Sequence, residues 1–534
     1  MKSSFPVALV QLHYHDRLGG VRQTMEAYGS AFCRRAGPGA TNAVLCHRCG
    51  SWSDYTGTCI DLPEADYHRF RSRRAFAAAA ERLTTRLKKF LCEIIGEGTV
   101  AMVGHNLSLG KNPALSEAFR RCALGLGNRA GARFRFFSVL HDVTEQGRFG
   151  LLHQLECLKS RGVDVDAALY ARGAPVHFIA PDRAMRTLTG MTEEHLTILP
   201  HPVRSAASHR RCRSGEIRHI LRRLAQADGL FFNPQLPLLV YPARMLYRKN
   251  VLEALLLATV MNGGSLVTGP AGSSSADRMR MNAALQLARR YRLSCAVDPE
   301  RIRGFADTCQ DHTMAGNPFY TLYGAADWVI STSIAEGFGY PFYEPWQFGV
   351  SVCGRKPAGV EFMRGFGFLS LYRRMPVPVS WVSIDDCCKR FAAAAHRGIF
   401  SRKRFLETFV QKETVDFGAL DTTAQVTVIV RVLRSDKERA VLAGLLQKES
   451  RNCGNIIKTR MHDAEAEKLA ADIAAWSRNG FDKAFVKCLA HNVHRIHRSV
   501  WYRVIAAWYR KPENMLITVP VAGMEKRAGL DKFS

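Results

Sequence analysis

Acidic residues are scarce in this chain of 534 residues: 47 Asp and Glu stand against 75 Lys and Arg, which gives a formal net charge of +28. Such an excess of cations favours polyanionic ligands, namely nucleic acid, anionic lipid headgroups or phosphorylated small molecules. The cations are spread through segments such as 69–76 and 208–223 and are not gathered in one block. No zinc-finger, RRM or KH signature accompanies them, so nucleic acid is not the partner that we expect.

Long apolar runs are missing as well. No window reaches the roughly 18–20 apolar residues that a membrane-spanning helix needs. The first twenty residues lack the apolar segment and the small-residue cleavage site of a secretory signal. We therefore expect a cytoplasmic protein. The fifteen cysteines are scattered along the chain, which favours reduced thiols over a disulfide framework.

A complete set of metal ligands is also missing from the sequence. Cys46, His47 and Cys49 could supply half of a zinc site, but no second pair follows, and Cys59 stands alone. The alternative for these cysteines is buried or idle thiols. The two acids of the segment 164–166 could pass for a metal motif, but so short a match arises easily by chance. We expect neither a metal nor a cofactor.

What the sequence does contain is an alternation of short apolar runs with longer helical patterns. In the first half, strands are predicted at 6–12, 99–106, 134–142, 175–181 and 195–202, and helices at 19–36 and 113–127. The rhythm then restarts, with strands at 237–244, 264–270 and 326–333 and helices at 250–262 and 275–292. Continuously apolar strands between helices are typical of a parallel sheet that is covered on both faces. The sequence therefore predicts two doubly wound α/β domains, at 1–230 and 235–430, and a helical extension at 435–534.

In such sheets, ligands bind beyond the carboxyl ends of the strands, so the loops that follow strands are the places to look for a site. Arg244 follows one predicted strand, and Lys249 lies five residues later at the start of a predicted helix. A guanidinium and an ammonium beside a helix N-terminus suit a diphosphate. Ordinary surface charges in a polar loop are the alternative.

A second loop follows the predicted strand at 326–333. Glu336 and Glu344 enclose a glycine turn, and an apparent helix and a further strand come next. Gly337 and Gly339 allow the backbone to approach a ligand and to present N–H groups to an anion. Carboxylates suit sugar hydroxyls because each can accept two hydroxyl donors. The alternative is a capped helix start with a solvated acid on each side.

Together, these two segments resemble the donor domain of the retaining GT-B glycosyltransferases, the large group with two glutamates separated by seven residues (family 4-like). The segment "ARMLYRKNVLEALLLA" is similar to that family's Arg-x-x-x-x-Lys segment, and "STSIAEGFGYPFYEPWQFGVSV" is similar to its acidic segment. The resemblance spans residues 5–430 and is most detailed over 238–355. It implies GT-B architecture, with two Rossmann-like domains facing a cleft. Residues 1–230 would then form the acceptor-side domain, and residues 235–430 would bind a nucleotide-sugar donor.

The resemblance also implies a role for each matching residue of the second half. Glu336 would contact the transferred sugar, and Glu344 would hold the ribose. Arg244 and Lys249 would stabilise the diphosphate. The backbone that faces the sugar and the β-phosphate would come from Gly337, Phe338, Gly339 and Tyr340.

In the first half, "RLGGVRQTMEAY" resembles the family's first glycine loop, which implies that Gly19 and Gly20 face the donor phosphates; a plain strand-to-helix turn is the alternative. The strand "SVLHD" resembles the one whose histidine lies near the transferred sugar, which here is His141. The loop after an earlier strand could line the acceptor pocket with His105, Asn106 and Lys111. One departure from the family is His201 in "LPHPV", where asparagine is common, and another is Tyr340, where a smaller residue is common.

The expected function is the transfer of a hexosyl group from a nucleotide-sugar donor, with retention of configuration and without a metal. The acceptor, the nucleotide base, the hexose and the oligomeric state stay open. The alternative is a non-catalytic, basic GT-B protein that binds nucleic acid or an anionic membrane. The segment 489–511 has the pattern of a basic amphipathic helix with interleaved aromatics, which could lie on the inner face of a membrane or pack on the protein.

Overall fold

The chain, seen in a computed structural model, forms two compact units. The described residues are 6–15, 20–37, 39–48, 57–94, 98–127, 133–142, 149–203, 214–261, 263–272, 275–299, 318–334, 336, 338–357, 370–394, 402–449, 475–476 and 480–489. The first unit contains the described residues of 6–203 together with 475–476 and 480–489, and the second contains those of 214–449. The placement of the units around a cleft stays a prediction.

The first unit is built on a seven-stranded parallel sheet in the order β3-β2-β1-β4-β5-β6-β7. Its strands are β1 (Ala8–His15), β2 (Thr41–His47), β3 (Thr58–Asp61), β4 (Val100–His105), β5 (Phe134–Val139), β6 (Val176–Ala180) and β7 (Leu196–Ile198). Its helices before residue 200 are α1 (Gly20–Ala36), α2 (Arg73–Ile94), α3 (Pro113–Leu126), α4 (Phe149–Ser160), α5 (Val165–Tyr170) and α6 (Arg183–Thr189). The strand order reverses between β1 and β4, which places the topological switch point there.

The continuous apolar strands of this sheet bury a side chain on each face. Met102 and Phe136 pack into one core beneath α2 and α3. Val103 and Phe137, each the next residue along its strand, pack into a second core on the opposite face beneath α1. This alternation explains why the strands read as unbroken hydrophobic runs.

The second unit is built on a six-stranded parallel sheet in the order β10-β9-β8-β11-β12-β13. Its strands are β8 (Leu238–Tyr241), β9 (Ser265–Thr268), β10 (Cys295–Val297), β11 (Trp328–Ser331), β12 (Val352–Arg355) and β13 (Ser370–Tyr372). A small antiparallel sheet, β14-β16-β15, comprises β14 (Pro376–Pro378), β15 (Val410–Gln411) and β16 (Thr414–Asp416). The helices are α7 (Ser214–Ala227), α8 (Val251–Val260), α9 (Ser275–Arg290), α10 (Pro318–Ala325), α11 (Ile384–Ala394), α12 (Arg402–Phe409), α13 (Thr422–Arg434) and α14 (Asp436–Glu449).

One further helix, α15 (Phe481–Leu489), lies far along the chain but completes the core of the first unit. The Phe485 ring lies 4.3 Å from the Tyr28 ring of α1. Arg34 donates two hydrogen bonds to the Asp482 carboxylate, at 2.7 and 2.8 Å. Arg135 of β5 donates to the carbonyl of Leu489 at 3.0 Å. The predicted extension 435–534 is therefore divided between the units, since α14 packs within the second unit.

The predicted fold class is confirmed, because both large sheets are parallel and doubly wound. Each strand predicted at a stated range, and each helix predicted at 19–36, 113–127, 250–262 and 275–292, is present within a few residues. The strands β2 and β3, the helix α2 and the small antiparallel sheet were among the elements not predicted. The helix at 214–227 belongs to the second unit, whereas the sequence placed it in the first.

The oxidation state of one cysteine differs from the expectation. Cys59 is disulfide-bonded, which contradicts the expectation of reduced thiols at that position. The other cysteines in the part of the chain that the structure describes are free thiols.

None of the described helices is long and apolar enough to cross a membrane.

Candidate active site

The predicted donor residues lie where the strand order of the second sheet reverses. Strands β8 and β11 are neighbours, and their carboxyl ends lie at the same edge. The loop after β8 contains Arg244 and Lys249, and the loop after β11 contains Glu336. Segments that are 87 residues apart in sequence therefore meet at the topological switch point.

Lys249 and Glu336 form a direct, buried ion pair between the Nζ and Oε1 atoms. Only 8% of Lys249 and 7% of Glu336 is exposed. Arg248 lies 3.7 Å from the second carboxylate oxygen. Burial raises the pKa of Glu336, but the charges of Lys249 and then Arg248 outweigh it and hold the pKa below its usual value. The carboxylate is therefore ionised at neutral pH.

The backbone of the Lys249 loop is anchored to the strand ends beside it. Thr332 donates from its hydroxyl to the carbonyls of Lys249 and Asn250, at 3.1 and 3.0 Å. The N–H of Ile334 donates to the carbonyl of Arg248 at 2.9 Å, and the Tyr241 hydroxyl donates to the carbonyl of Lys249. These bonds fix the ammonium before any ligand arrives, which is the preorganisation that electrostatic stabilisation requires.

Glu344 is buried, with only 5% exposed, and two tyrosines of α10 approach its carboxylate. The Tyr320 hydroxyl donates to Oε1 at 3.1 Å, and the Tyr323 hydroxyl donates to Oε2 at 3.2 Å. Burial, and then the Glu344 charge, raises the pKa of Tyr323 well above its usual value, so that hydroxyl stays protonated. A carboxylate oxygen accepts more than one donor, and a ribose diol offers two.

The segment after Glu336 does not form the predicted α-helix. It forms two 3₁₀ turns, Tyr340–Phe342 and Pro345–Phe348. Pro341 and Pro345 lack the N–H group that an α-helix needs at those positions. Gly339 enters the first turn with φ of 87°, a left-handed conformation that glycine adopts without strain. Glu336 thus lies in irregular backbone before the first turn, and Glu344 directly precedes the second.

The remaining predicted donor residues differ in their surroundings. Arg244 is exposed, and no described side chain pairs with its guanidinium. The Phe338 ring stacks on Tyr343 at 4.7 Å and lies 5.0 Å from the Tyr340 ring. Gly337 lies outside the described residues.

In the first unit, a cluster of buried histidines occupies the carboxyl-end edge of the sheet near its switch point. His105 ends β4, and His141 lies just after β5. Their rings meet through Nδ1 of His105 and Nε2 of His141, 3.2 Å apart. The His201 ring lies 4.7 Å from the His141 ring. The unusual histidine of "LPHPV" thus packs against the predicted catalytic histidine.

Burial dominates the protonation of this cluster. It lowers the pKa of His105 and of His141 well below the usual 6.5, and the neighbouring histidines lower both further. Burial also lowers the pKa of His201 to about 3 and that of His13 to about 4. All four rings are neutral at neutral pH.

The other predicted residues of the first unit have local structural contacts. Gly20 is the first residue of α1, and its carbonyl accepts a hydrogen bond from Thr24 at 2.9 Å. Asn106 adopts a left-handed conformation with φ of 62°. The Lys111 ammonium lies 4.4 Å from the centre of the Tyr67 ring. Gly19 lies outside the described residues.

Metal-ligand candidates are not brought together. Among the described residues, no group of three or more His, Cys, Asp or Glu side chains is placed to hold a metal ion. Asp164, the first acid of the motif that resembles a metal site, caps α5 by accepting from the N–H of Ala167 at 3.0 Å. Asp166 lies 3.2 Å from Arg172. The prediction that no metal is required stays a prediction.

Sequence reasoning missed several residues around these clusters. They are Gln11, His13, Arg248, Tyr320, Tyr323 and Thr332. One available signal was the pattern "QLHYH", in which polar residues alternate at the end of an otherwise apolar strand. The tyrosines gave no signal, because their contact with Glu344 depends on how α10 packs.

Comparison with known proteins gives one curated relative at modest identity. No family model matches the chain. Mannosylglucosyl-3-phosphoglycerate synthase of Petrotoga mobilis is 21% identical over 378 residues, which is 68% of this chain and 69% of the relative. The similarity therefore extends well beyond the two motifs.

Solved structures with related topology include three carbohydrate-active proteins. WaaG, a glycosyltransferase involved in lipopolysaccharide biosynthesis, is 14% identical, with 87% of this chain and 99% of WaaG covered and a TM-score of 0.41. Sucrose-phosphate synthase of Thermosynechococcus elongatus is 13% identical, with 89% and 99% covered and a TM-score of 0.43. The catalytic domain of starch synthase IV of Arabidopsis thaliana is 11% identical, with 88% and 100% covered and a TM-score of 0.44.

Proposed function

We propose that this protein is a glycosyltransferase that moves a hexosyl group from a nucleotide-sugar donor to an acceptor, with retention of anomeric configuration. The observation that carries the proposal is the pairing of Lys249 with Glu336 at the switch point of the second sheet. This pair connects the two sequence segments that resemble the glycosyltransferase family. The similarity to mannosylglucosyl-3-phosphoglycerate synthase supports the same class of reaction.

In the proposed reaction, the bond between the anomeric carbon and the phosphate oxygen breaks, and the nucleoside diphosphate leaves. Positive charge develops on the sugar, and negative charge develops on the leaving diphosphate. The Lys249 ammonium has three N–H donors, so it can contact Glu336 and a phosphate oxygen at the same time. Arg244 would add an exposed guanidinium to the diphosphate. Such charge stabilisation from a fixed cation is typically worth about 10²–10³ in rate.

The two carboxylates would bind hydroxyl groups of the donor. Glu336, which stays ionised, would accept from the transferred sugar, and Glu344 would accept from the ribose. No carboxylate is assigned the part of a nucleophile. Instead, the leaving phosphate would take the proton of the acceptor hydroxyl while the new glycosidic bond forms on the same face of the sugar.

The acceptor class can be narrowed by charge. A net charge of +28 favours an anionic acceptor, and the curated relative's name includes a phosphoglycerate unit. We therefore propose a phosphorylated or lipid-linked anionic acceptor before a neutral one.

The test is a coupled assay for release of nucleoside diphosphate. The full chain is incubated with UDP-, GDP- and ADP-hexoses and with phosphorylated, lipid-linked and neutral acceptors in turn. We expect one donor to be consumed only when an acceptor is present, and NMR of the product to show the donor's anomeric configuration. An inverted product would overturn the mechanism. A protein that binds no sugar nucleotide but binds oligonucleotides or anionic vesicles would favour the non-catalytic alternative.

A further inference from the structure

The imidazole of His141 belongs to a chain of side-chain hydrogen bonds that begins in the middle of strand β1. Gln11 on that strand is fully buried, and its Nε2 donates to the carbonyl of Met25 at 2.9 Å. Its Oε1 lies 2.9 Å from Nε2 of His105. Nδ1 of His105 then lies 3.2 Å from Nε2 of His141. These hydrogen bonds thus join β1, β4 and the loop after β5, and the three strands are neighbours in the sheet.

The direction of these bonds follows from the Met25 carbonyl. This oxygen can only accept, so the Gln11 amide must turn its NH₂ group toward Met25 and its oxygen toward His105. The reversed amide would set two oxygen atoms against each other at 2.9 Å. Nε2 of His105 must therefore bear a hydrogen and donate it to Gln11.

The same reasoning extends one step further. Burial keeps His105 and His141 neutral, so each ring bears a single N–H. Since the hydrogen of His105 is on Nε2, its Nδ1 is a bare acceptor. Nε2 of His141 must then be the donor across the 3.2 Å contact, and Nδ1 of His141 is left as an acceptor.

We infer that Gln11 and His105 are positioning residues that hold His141 as the Nε2–H tautomer and leave its Nδ1 as a hydrogen-bond acceptor. The packing of the His201 ring at 4.7 Å restricts rotation of the same imidazole. This inference deepens the proposed function, and the part that His141 plays in the reaction rests on that proposal. An acceptor nitrogen selects a hydroxyl donor, so His141 would contact a sugar hydroxyl and not a phosphate oxygen.

The direct test is the tautomer of His141, read from the ring nitrogen resonances of the full chain labelled with ¹⁵N-histidine. The His141 signals are assigned by their loss in His141→Gln. We expect a protonated Nε2 and a bare Nδ1 in the unsubstituted protein. A proton on Nδ1, or signals averaged by rapid exchange between the two tautomers, would overturn the inference. Because this measurement uses the unsubstituted protein, it does not depend on whether variants of the two relay residues, Gln11 and His105, can fold.

Two relay variants and one matched control extend the test. Gln11→Met and His105→Met remove a link, whereas His177→Met removes another fully buried strand histidine that lies on β6 and contacts Thr197 at 2.8 Å. We expect both relay variants to lose the single tautomer and to lower kcat about tenfold, the worth of one well-placed hydrogen bond. Binding of the nucleotide should not change, since Lys249, Glu336 and Glu344, the residues proposed to hold the donor, lie in the second unit. The control should keep the His141 tautomer and the unsubstituted kcat.

Failure of this inference and failure of the proposed function give different results. If no donor and acceptor pair gives turnover, the proposed function fails, whereas the tautomer of His141 can still be read. If turnover is found and His141 bears its hydrogen on Nδ1, the relay is wrong and the transferase stands. Loss of the tautomer in His177→Met as well would show a general effect of core substitution and would overturn the assignment to Gln11 and His105.

Discussion

At the scale of single residues, the molecule depends on a few charges that burial would penalise unless they were paired. Lys249 and Glu336 satisfy each other at an edge of the sheet where ligands bind. A buried pair of this kind contributes little net stability, because desolvation offsets the attraction. Its value lies in holding a cation at a fixed position, which supports a role in binding and not in folding.

The first residue-scale prediction concerns this pair. Lys249→Met should lower transfer about 10²–10³-fold, since the diphosphate loses its fixed cation. The fold should persist, because Arg248 remains 3.7 Å from Glu336 as a second partner. Initial rates and far-UV circular dichroism measure the two effects.

Lys448→Met is the matched control for that substitution, since Lys448 is an exposed cation of α14 in the same unit. It should leave the rate unchanged. Near-normal turnover in Lys249→Met would remove Lys249 from the site. An unfolded variant would be replaced by Glu336→Gln, which keeps the shape of the side chain, and near-normal turnover there would count equally against the pair.

At the scale of secondary-structure elements, a buried ionic network connects α8, next to the candidate site, to β12 and β16. Arg355 at the end of β12 donates to Glu253 of α8 at 2.8 and 2.7 Å and to Asp416 of β16 at 2.9 and 2.7 Å. Burial alone would lower the pKa of Arg355, but Asp416 and Glu253 outweigh it and raise the pKa well above its usual value. The Tyr372 hydroxyl of β13 donates to Glu253 at 2.9 Å. Because α8 begins directly after the Lys249 loop, this network supports the loop from behind.

The element-scale prediction is that Arg355→Met destabilises the second unit by about 3–5 kcal/mol, because two buried carboxylates lose their cation. Burial already raises the folded-state pKa of Glu253, and loss of the Arg355 charge raises it further above the unfolded value of about 4. The penalty is therefore full at neutral pH and shrinks as the pH falls toward 4, where the Glu253 carboxyl takes up a proton. Urea unfolding of the full chain at several pH values measures it.

Two comparisons sharpen this prediction. The triple variant Arg355→Met, Glu253→Gln, Asp416→Asn should recover most of the loss, since no buried charge remains. Arg402→Met, which breaks an exposed pair with Asp385, should cost at most about 1 kcal/mol. A triple variant as unstable as the single one would contradict the electrostatic explanation and would favour lost packing instead.

At the scale of the whole molecule, the fold could be predicted from the alternation of apolar runs and helical patterns. A parallel strand that is buried on both faces appears in the sequence as a continuous apolar run. Strand β4, for example, places Met102 in one core and Val103 in the other. The small sheet β14-β16-β15 was not predicted, since strands of two or three residues are shorter than any reliable period. The helix α15 gave no sequence signal for its place in the first unit, because its partners lie some 450 residues earlier in the chain.

The candidate site was predictable only where chemistry and spacing coincide. Arg244, Lys249, Glu336 and Glu344 were found because charged residues beside a glycine turn are unusual after a buried strand. The relay from Gln11 to His141 was not found, because it joins three strands whose order in the sheet the sequence does not reveal. Such contacts depend on topology, which local patterns cannot supply.

Donor binding can be measured directly from the thermal unfolding of the full chain with UDP, GDP, ADP and TDP and with their glucose and mannose conjugates. A nucleotide present at 100 times its dissociation constant stabilises the folded state by about 2.7 kcal/mol. We expect one base to raise the unfolding midpoint, and we expect Lys249→Met to abolish the rise while Lys448→Met preserves it. A panel without any shift, alongside a clear shift with oligonucleotide or anionic lipid, would contradict the glycosyltransferase assignment.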